Sequence, residues 1–403
     1  MNLSLKFTGI ILIFSSIFIV SCKRDIPSSV LDYREGVNFE NIKIEKVFEL
    51  TDYRPIFWVI PFPERVVALI PEGMGKTFEF FVYDYSGRII ENWKVNGGDG
   101  PNELREIGPE EIISFNENEI IGIESRSGYI KSINLKTHEI KTIGKLSNIV
   151  RGYGSKYVIP RFSSTSIDRK GDSIVLGLVS TDFWDNGTHY FVKFDGIFRN
   201  FRVISKAEKE AIKILDRKTT EEIKRKKIIS CDYYKALRTS IIFSVDWKRE
   251  VVYYIPAIEE PFIEAISFDG KLRRKWKVDI NFKKFKVKKE KIEEWCERAK
   301  SSPEPIFKIL RQVTEIPPHA PPLQDIKVIE DRLLIITGNR NWDKEENETL
   351  VYHLPDMKYE GSFYLPFLHL RLHWFGNYYM TNGMIKKDDD WFGIRKLYSF
   401  EIK

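Results

Sequence analysis

Short stretches in which apolar and polar residues alternate with period two recur along the chain from about residue 41 to its end, separated by turns rich in Gly and Asn. The clearest are FFVYDYSGRIIENWKV (80–95), FVKFDGIFRNFRVI (191–204) and AISFDGKLRRKWKV (265–278). Looser copies are IKSINLKTHEIKTIG (130–144) and VYHLPDMKYEGSFYL (351–365). Alternation on both sides of a short polar turn predicts a β-hairpin in each case. Two further short strands precede most copies, at 56–60 and 65–70, at 111–115 and 119–124, and at 240–246 and 250–255. The repeating unit is therefore four antiparallel strands, a to d, and radial repetition of such units predicts an all-β fold, the β-propeller. A sixth unit starts near residues 369 and 377 but ends at 397–402 with its third strand. The spare strand at 41–50 is then expected to supply the missing d strand, so that a six-bladed ring closes with no open edge.

Two segments break the rhythm, 205–238 and 281–322, and both follow a d strand. Ile212, Leu215 and Ile223 in the first, and Ile292, Trp295 and Cys296 in the second, have helical spacing. They read as helical insertions in blade-to-blade connections, with a separate helical domain as the alternative. Without them, the signal and the tether described next, about 48 residues remain for each blade, close to the usual propeller repeat.

The N-terminus has a different character. Lys6 precedes the apolar run 7–20, which has the length of a secretory h-region and is short for a membrane span. The run ends Ile19-Val20-Ser21-Cys22, which resembles the lipobox of bacterial lipoproteins. That resemblance implies cleavage after residue 21, lipidation of Cys22, and a membrane partner through the anchor. Residues 22–36 are then expected to be a flexible tether and 37–403 the propeller. Lys23-Arg24 after the Cys favour the outer membrane, on its periplasmic side or at the cell surface. An ordinary signal peptide with a chance cysteine, leaving a periplasmic protein, is the alternative. Cys231 and Cys296 remain in an oxidising compartment, either bridged or as two buried thiols.

Composition changes this picture little. The chain has 403 residues and a net charge of +6, with 42% hydrophobic and 14% aromatic residues. That is enough apolar material for a large core, which excludes whole-chain disorder. Export makes nucleic acid an unexpected partner despite the basic balance.

The segment Trp93-Lys-Val-Asn-Gly-Gly-Asp-Gly-Pro-Asn-Glu-Leu104, followed by Ile107-Gly-Pro109, resembles the blade-to-blade link of NHL-type repeats. The chain is in this respect similar to the six-bladed propeller lipoproteins of Gram-negative envelopes, many of which have no assigned activity. The specific match covers residues 80–145, and the resemblance transfers no catalytic residues.

Antiparallel order puts the b–c turns and the d–a connections on one face. That face carries the longer turns and both insertions, which makes it the expected ligand face. Three of its turns set Trp beside acids: Trp184-Asp185, Trp342-Asp343 and Trp391 after Asp388-Asp389-Asp390. Trp with carboxylates at a loop tip suits sugar stacking or a protein hot spot; packing beneath the same loops is the alternative. The insertions are lysine-rich, which suits either anionic head groups or a solvated helix face. His369, Arg371 and His373 share one face of an inner strand, but no third ligand is evident, so neither a metal nor another cofactor is expected. P-loop, HExxH and GxSxG signatures are absent. Two functional readings follow. One is a binding propeller for a protein, peptide or glycan; the other is a lyase or hydrolase acting on a polysaccharide or peptide at the central channel.

Overall fold

The computed structural model describes residues 28–403 except 53–57, 73–75, 99, 106, 108–111, 125–126, 147–165, 172, 180–188, 196–199, 208–241, 257–259, 289, 291–318, 368–371 and 388–389. The described chain forms an all-β propeller of small antiparallel sheets. Sheet I contains β3 (Trp58–Pro61), β4 (Val66–Glu72), β5 (Thr77–Tyr83) and β6 (Ile89–Asn96) in spatial as well as chain order. Sheet II has β7 (Ile112–Asn116), β8 (Glu119–Ile123), β9 (Tyr129–Asn134) and β10 (Ile140–Lys145). Sheet III has β11 (Ser166–Lys170), β12 (Ser173–Val179), β13 (His189–Asp195) and β14 (Asn200–Ala207). Sheet IV has β15 (Ile242–Asp246), β16 (Val251–Ile255), β17 (Phe262–Ser267) and β18 (Arg273–Val278). Sheet V has β19 (Leu323–Ile329), β20 (Arg332–Asn341), β21 (Glu346–His353) and β22 (Lys358–Pro366). Sheet VI has β23 (Leu372–Phe375), β24 (Tyr378–Lys387) and β25 (Asp390–Ile402). Its fourth strand is β2 (Ile42–Asp52), which pairs antiparallel with β25 from Ile42↔Ile402 to Asp52↔Gly393.

Six uniform four-stranded blades were expected; five sheets have four strands, and sheet IV has five. The extra strand is β1 (Ser28–Leu31), which pairs parallel to β18 from Ser28↔Lys275 to Leu31↔Val278. This also corrects the flexible tether expected over 22–36, because residues 28–31 of it form a strand and Leu31 is buried. The helices expected in the two insertions lie, save their first residues, outside the described residues. Residue 205 belongs to β14, and the described start of the second insertion holds only a 3-10 turn, Phe282–Lys284.

Burial explains the sequence rhythm. The b strands lie between neighbouring sheets, so β4 and β16 are buried along nearly their whole length and read as continuous apolar runs. The outer strand β6 is mostly exposed, and its polar residues sit where water reaches them. Turns between c and d use one device repeatedly. Asp84 Oδ1 accepts the amides of Ser86 and Arg88, Asn134 Oδ1 those of Lys136 and Thr137, and Asp269 Oδ1 that of Lys271. A short polar side chain that caps its own turn is what the Asx geometry provides.

After β1 the N-terminal segment crosses the outer edge of sheet V before it joins sheet VI as β2. The Tyr33 hydroxyl donates to Glu348 Oε1 (2.9 Å), and the Tyr352 hydroxyl donates to the Asp32 carbonyl (2.8 Å). Phe39 N donates to the Ser362 carbonyl (2.9 Å) and Ser362 N to that of Val37 (2.8 Å). Residues 28–41 therefore form a strap from sheet IV across sheet V to β2 of sheet VI. Its close passage is possible because Gly361 has φ +138° and no Cβ; a Cβ there would lie 2.9 Å from Phe39 N. The variant Gly361→Val is expected to lose about 2–3 kcal/mol of stability in urea titrations, with the loss concentrated in protection of the strap amides in hydrogen exchange.

Hydrogen bonds to the Ser267 hydroxyl and the Lys271 amide hold the Asp269 carboxyl down to about 2; Asp84 and Asp356 are lowered for the same kind of reason, led by Ser86 and His353. A depressed folded-state value contributes stability above the unfolded carboxylate range, near 4, and the contribution is lost as pH falls through the folded value. The urea midpoint is accordingly expected to decline between about pH 4 and pH 2, and the Asp269 carboxyl resonance to titrate at about 2.

Candidate functional site

The b–c face over sheet V is built from three pieces. The b–c turn carries Trp342 and Asp343; β20 ends in Asn339, Arg340 and Asn341; and the connection from β18 to β19 passes beside them. That connection has a neck, where Lys286 pairs antiparallel with His319 and Ala320 N donates to the Phe285 carbonyl (3.0 Å). Trp342 closes on the neck. Its Nε1 donates to the Lys286 carbonyl (3.1 Å), and the Arg340 guanidinium lies 5.0 Å from its ring centroid. Lys288 Nζ pairs with the exposed Asp343 carboxylate at 3.0 Å.

Beneath this surface lies a polar layer that the sequence reading missed. Asn347 is fully buried; it donates to Gln324 Oε1 (3.0 Å) and the Thr337 carbonyl (2.7 Å) and accepts from Arg340 Nη1 (3.0 Å). Glu348, also buried, accepts from Asn339 Nδ2 (2.9 Å) and from the Tyr33 hydroxyl. Burial, and then the Glu348 carboxylate, raise the Tyr33 phenol well above its ordinary range, so it stays a donor. The available signal was the polar run Thr337-Gly-Asn-Arg-Asn341, unusual at the end of a buried strand. It needed the strap, more than 300 residues away, to acquire its meaning.

Near the axis, the inner strands are cross-linked from sheet to sheet. Asp168 on β11 accepts from Val245 N (3.0 Å), the Ser244 hydroxyl (3.3 Å) and Trp247 Nε1 (3.0 Å), and lies 3.8 Å from Lys327 Nζ on β19. Ser244 Oγ in turn accepts from Val328 N (2.9 Å). Arg65 reaches the Glu117 carbonyl (2.6 Å), and Arg169 donates to the Ser114 carbonyl. Arg249 joins Asp246 (2.8 Å) to Asp331 (2.7 Å), and these two carboxylates raise its pKa. These charged groups tie neighbouring sheets together. Among the described residues, no group of three or more His, Cys, Asp and Glu is arranged to hold a metal ion.

The link from β6 to β7 also resolves into contacts among its described residues. Gly98 N donates to the Leu104 carbonyl (3.1 Å) and Gly100 N to Glu103 Oε2 (2.7 Å), while a Cβ on Gly98 would lie 2.0 Å from that carboxylate oxygen. The loop docks on sheet II, where the fully buried Lys131 donates to the Gly100 carbonyl (2.8 Å) and Thr142 Oγ1 (2.9 Å). Glu124, equally buried, stands 3.8 Å away as its counter-ion. The segment is thus a joint between sheets I and II.

The other sequence candidates are spread out. Cys22, Trp184, Asp185, Cys231, Cys296, His369 and Arg371 lie outside the described residues. Trp391 lies on β25, at its b–c end, and His373 on β23 is buried. The structure therefore brings together only Trp342 and Asp343, with the neck of the second insertion.

No protein-family model matches the sequence, and no curated protein matches it. Among solved structures, the chain is similar to a presumed exported protein of Bacteroides fragilis NCTC 9343, with 11% identity and a TM-score of 0.39 over 90% of this chain and 96% of that one. It is also similar to the dihydro-heme d1 dehydrogenase NirN in complex with DHE, with 8% identity and a TM-score of 0.33 over 78% of this chain and 48% of that one. Likeness at this level transfers no activity. No helix among the described residues is long and apolar enough to cross a membrane.

Removing the Asp168 carboxylate would leave an indole N–H, a backbone N–H, a hydroxyl and an ammonium without their shared acceptor. The variant Asp168→Ala is expected to cost about 3 kcal/mol, read as a lower urea midpoint. Asp168→Asn should recover part of that loss, because the amide oxygen still accepts.

Proposed function

We propose that the chain is an exported lipoprotein, lipidated at Cys22 and held at the outer membrane, whose six sheets are the blades of one closed ring that binds a protein, peptide or glycan on its b–c face. The serial order of the sheets supports the six-bladed closure, together with β2 beside β25. The N-terminal apolar run and Ser21-Cys22 support the anchor. The NHL-like link supports kinship with envelope propeller lipoproteins at the level of that joint.

One observation carries the choice of binding over catalysis. The described charged groups near the axis are engaged in joining sheets, whereas the b–c turn of sheet V puts the solvent-exposed Asp343, the half-buried Trp342 and Arg340 beside the neck of the longest insertion. A surface turn coupled to a long insertion is a common way to build a recognition site on a stiff scaffold. A lyase or hydrolase needs titratable groups free to meet a substrate, and Asp168 with Lys327 is saturated by its neighbours.

Isothermal titration of the body from Lys23 onward against envelope oligosaccharides and peptides tests this reading. A ligand is expected whose affinity falls about tenfold in Asp343→Ala, a surface change that should alter stability by no more than about 0.5 kcal/mol. Turnover of any of these compounds, or binding indifferent to Asp343, Arg340 and Trp342 substitutions, would overturn it. In cell fractionation, Cys22→Ser is expected to move the protein from the membrane to the soluble fraction.

A further inference from the structure

The direction in which the chain leaves the propeller fixes which side meets the membrane. β1 runs parallel to β18, with Ser28 opposite Lys275 and Leu31 opposite Val278. β18 rises from the c–d turn at Asp269-Gly270-Lys271 toward the b–c face, so β1 does too. The Ser28 end of β1 therefore faces the a–b and c–d turns, opposite the face that carries Trp342. Only Lys23-Arg-Asp-Ile-Pro27 separate Ser28 from Cys22. Six residue steps span at most about 20 Å even when fully extended. A lipidated Cys22 would sit at the head-group level, and the lower outer edge of sheet IV cannot then stand far from it.

The chemistry of that edge fits the same contact. The segment Lys271-Leu-Arg-Arg-Lys-Trp-Lys277 has five cations and no acid. Lys271, Arg273, Arg274 and Lys277 are exposed. The facing acids are Asp269, 3.4 Å from Lys271, and Glu264, 3.6 Å from Lys275; Glu250 lies exposed on the neighbouring a–b turn. In sequence, Lys23 and Arg24 add two cations and Asp25 one acid between Cys22 and Ser28. A basic segment next to an acyl anchor supplies the second, electrostatic signal that a single attachment point benefits from.

We infer that the c–d turn edge of sheet IV, around Lys271, Arg273 and Arg274, is the surface that rests on lipid head groups, and that the b–c face is thereby presented away from the bilayer. This rests on lipidation at Cys22, as proposed above. The fifth strand is what makes the orientation definite, since a free tether of the same total length would let the body turn.

The test is lysine footprinting of the full lipoprotein added to vesicles of phosphatidylcholine with phosphatidylglycerol, compared with the same protein in detergent. Mass spectrometry of the same samples reports the lipid on Cys22. Vesicle binding is expected to slow modification of Lys271 several-fold and leave Lys344, on the b–c turn of sheet V, unchanged. A variant with roughly 20 Gly/Ser residues inserted between Pro27 and Ser28 should keep the lipid and lose the contrast. Equal protection of both lysines, or protection of Lys344 alone, in protein with a confirmed lipid would overturn the orientation and leave the anchor standing. Absence of the lipid would overturn the anchor itself, and the orientation with it.

Discussion

A four-stranded sheet in this protein has no core of its own. Each sheet is apolar on both faces of its inner strands and can bury them only against the sheets on either side, so every part of the fold depends on the seams. The apolar clusters are accordingly seam clusters. Trp58, Phe80 and Val82 of sheet I pack with Ile112, Ile120 and Ile133 of sheet II, and Ile335, Leu350 and Tyr352 of sheet V with Tyr253, Ala265 and Trp276 of sheet IV. The seam between I and II continues outward as an aromatic ladder, with Phe80 stacked on Trp93 at 4.8 Å and Trp93 on His138 at 4.3 Å. A ring of such seams is only as secure as its closure, because one open seam exposes two apolar faces at once. The N-terminal segment addresses this directly. β2 completes sheet VI, and Phe48 and Leu50 on β2 join Val59, Val66 and Ala68 of sheet I in one cluster. Chain start and chain end are thereby bound into one sheet, and the strap upstream of β2 ties sheets IV and V to it.

The charged residues near the axis follow from the same constraint. Apolar packing holds sheets face to face but does little to set their angle or height, whereas a carboxylate with three fixed donors does both. Asp168 reaches across to β15 and to Trp247, and Arg249 bridges Asp246 on its own sheet to Asp331 on the next. Asp168, Lys327 and Asp246 are largely buried, and their desolvation is offset only when each partner is in place. They therefore act as registration pins.

How much of this could be read from the sequence depended on whether the information was local. Hairpins such as 80–95 announce themselves through alternation and a self-capping Asp, and both features need only neighbouring residues. The pairing of β2 with β25 was readable despite a separation of more than 300 residues, because a unit lacking its fourth strand and a strand lacking a unit identify each other. β1 was not readable: Ser-Ser-Val-Leu is short, carries no period, and stands where a tether belongs, and only the exposed edge of β18 makes it a strand. The uniform blade count failed for that reason. Asp168 and Lys327 were invisible as partners, since an acid on one inner strand and a lysine on another, far along the chain, have no spacing to betray them. Trp342 was legible as a residue of interest but not in its role. Stacking on a ligand and packing beneath its own loop were both open to it; its N–H donates to the neck of an insertion, and Arg340 of β20 lies over its ring.

That role bears on how recognition can evolve on such a scaffold. The seams tolerate little change, because each side chain in them is matched to a neighbouring sheet. The connection from β18 to β19 differs from them in that its described base is a fixed point on one face. Lys286 paired with His319 is that fixed point, and Trp342 clamps it from the adjoining turn. An insertion held by a neck can change in length and composition without disturbing the sheets, yet its base stays registered against Arg340, Asp343 and the polar layer of Asn347 and Glu348 below. The strap adds a second consequence, since Tyr33 reaches that layer through Glu348. The same N-terminal segment that follows the proposed anchor thus contacts the underside of the proposed recognition face, so rigidity in one is conferred on the other. The seams of sheets IV and V thus lie between the proposed attachment and the proposed recognition face.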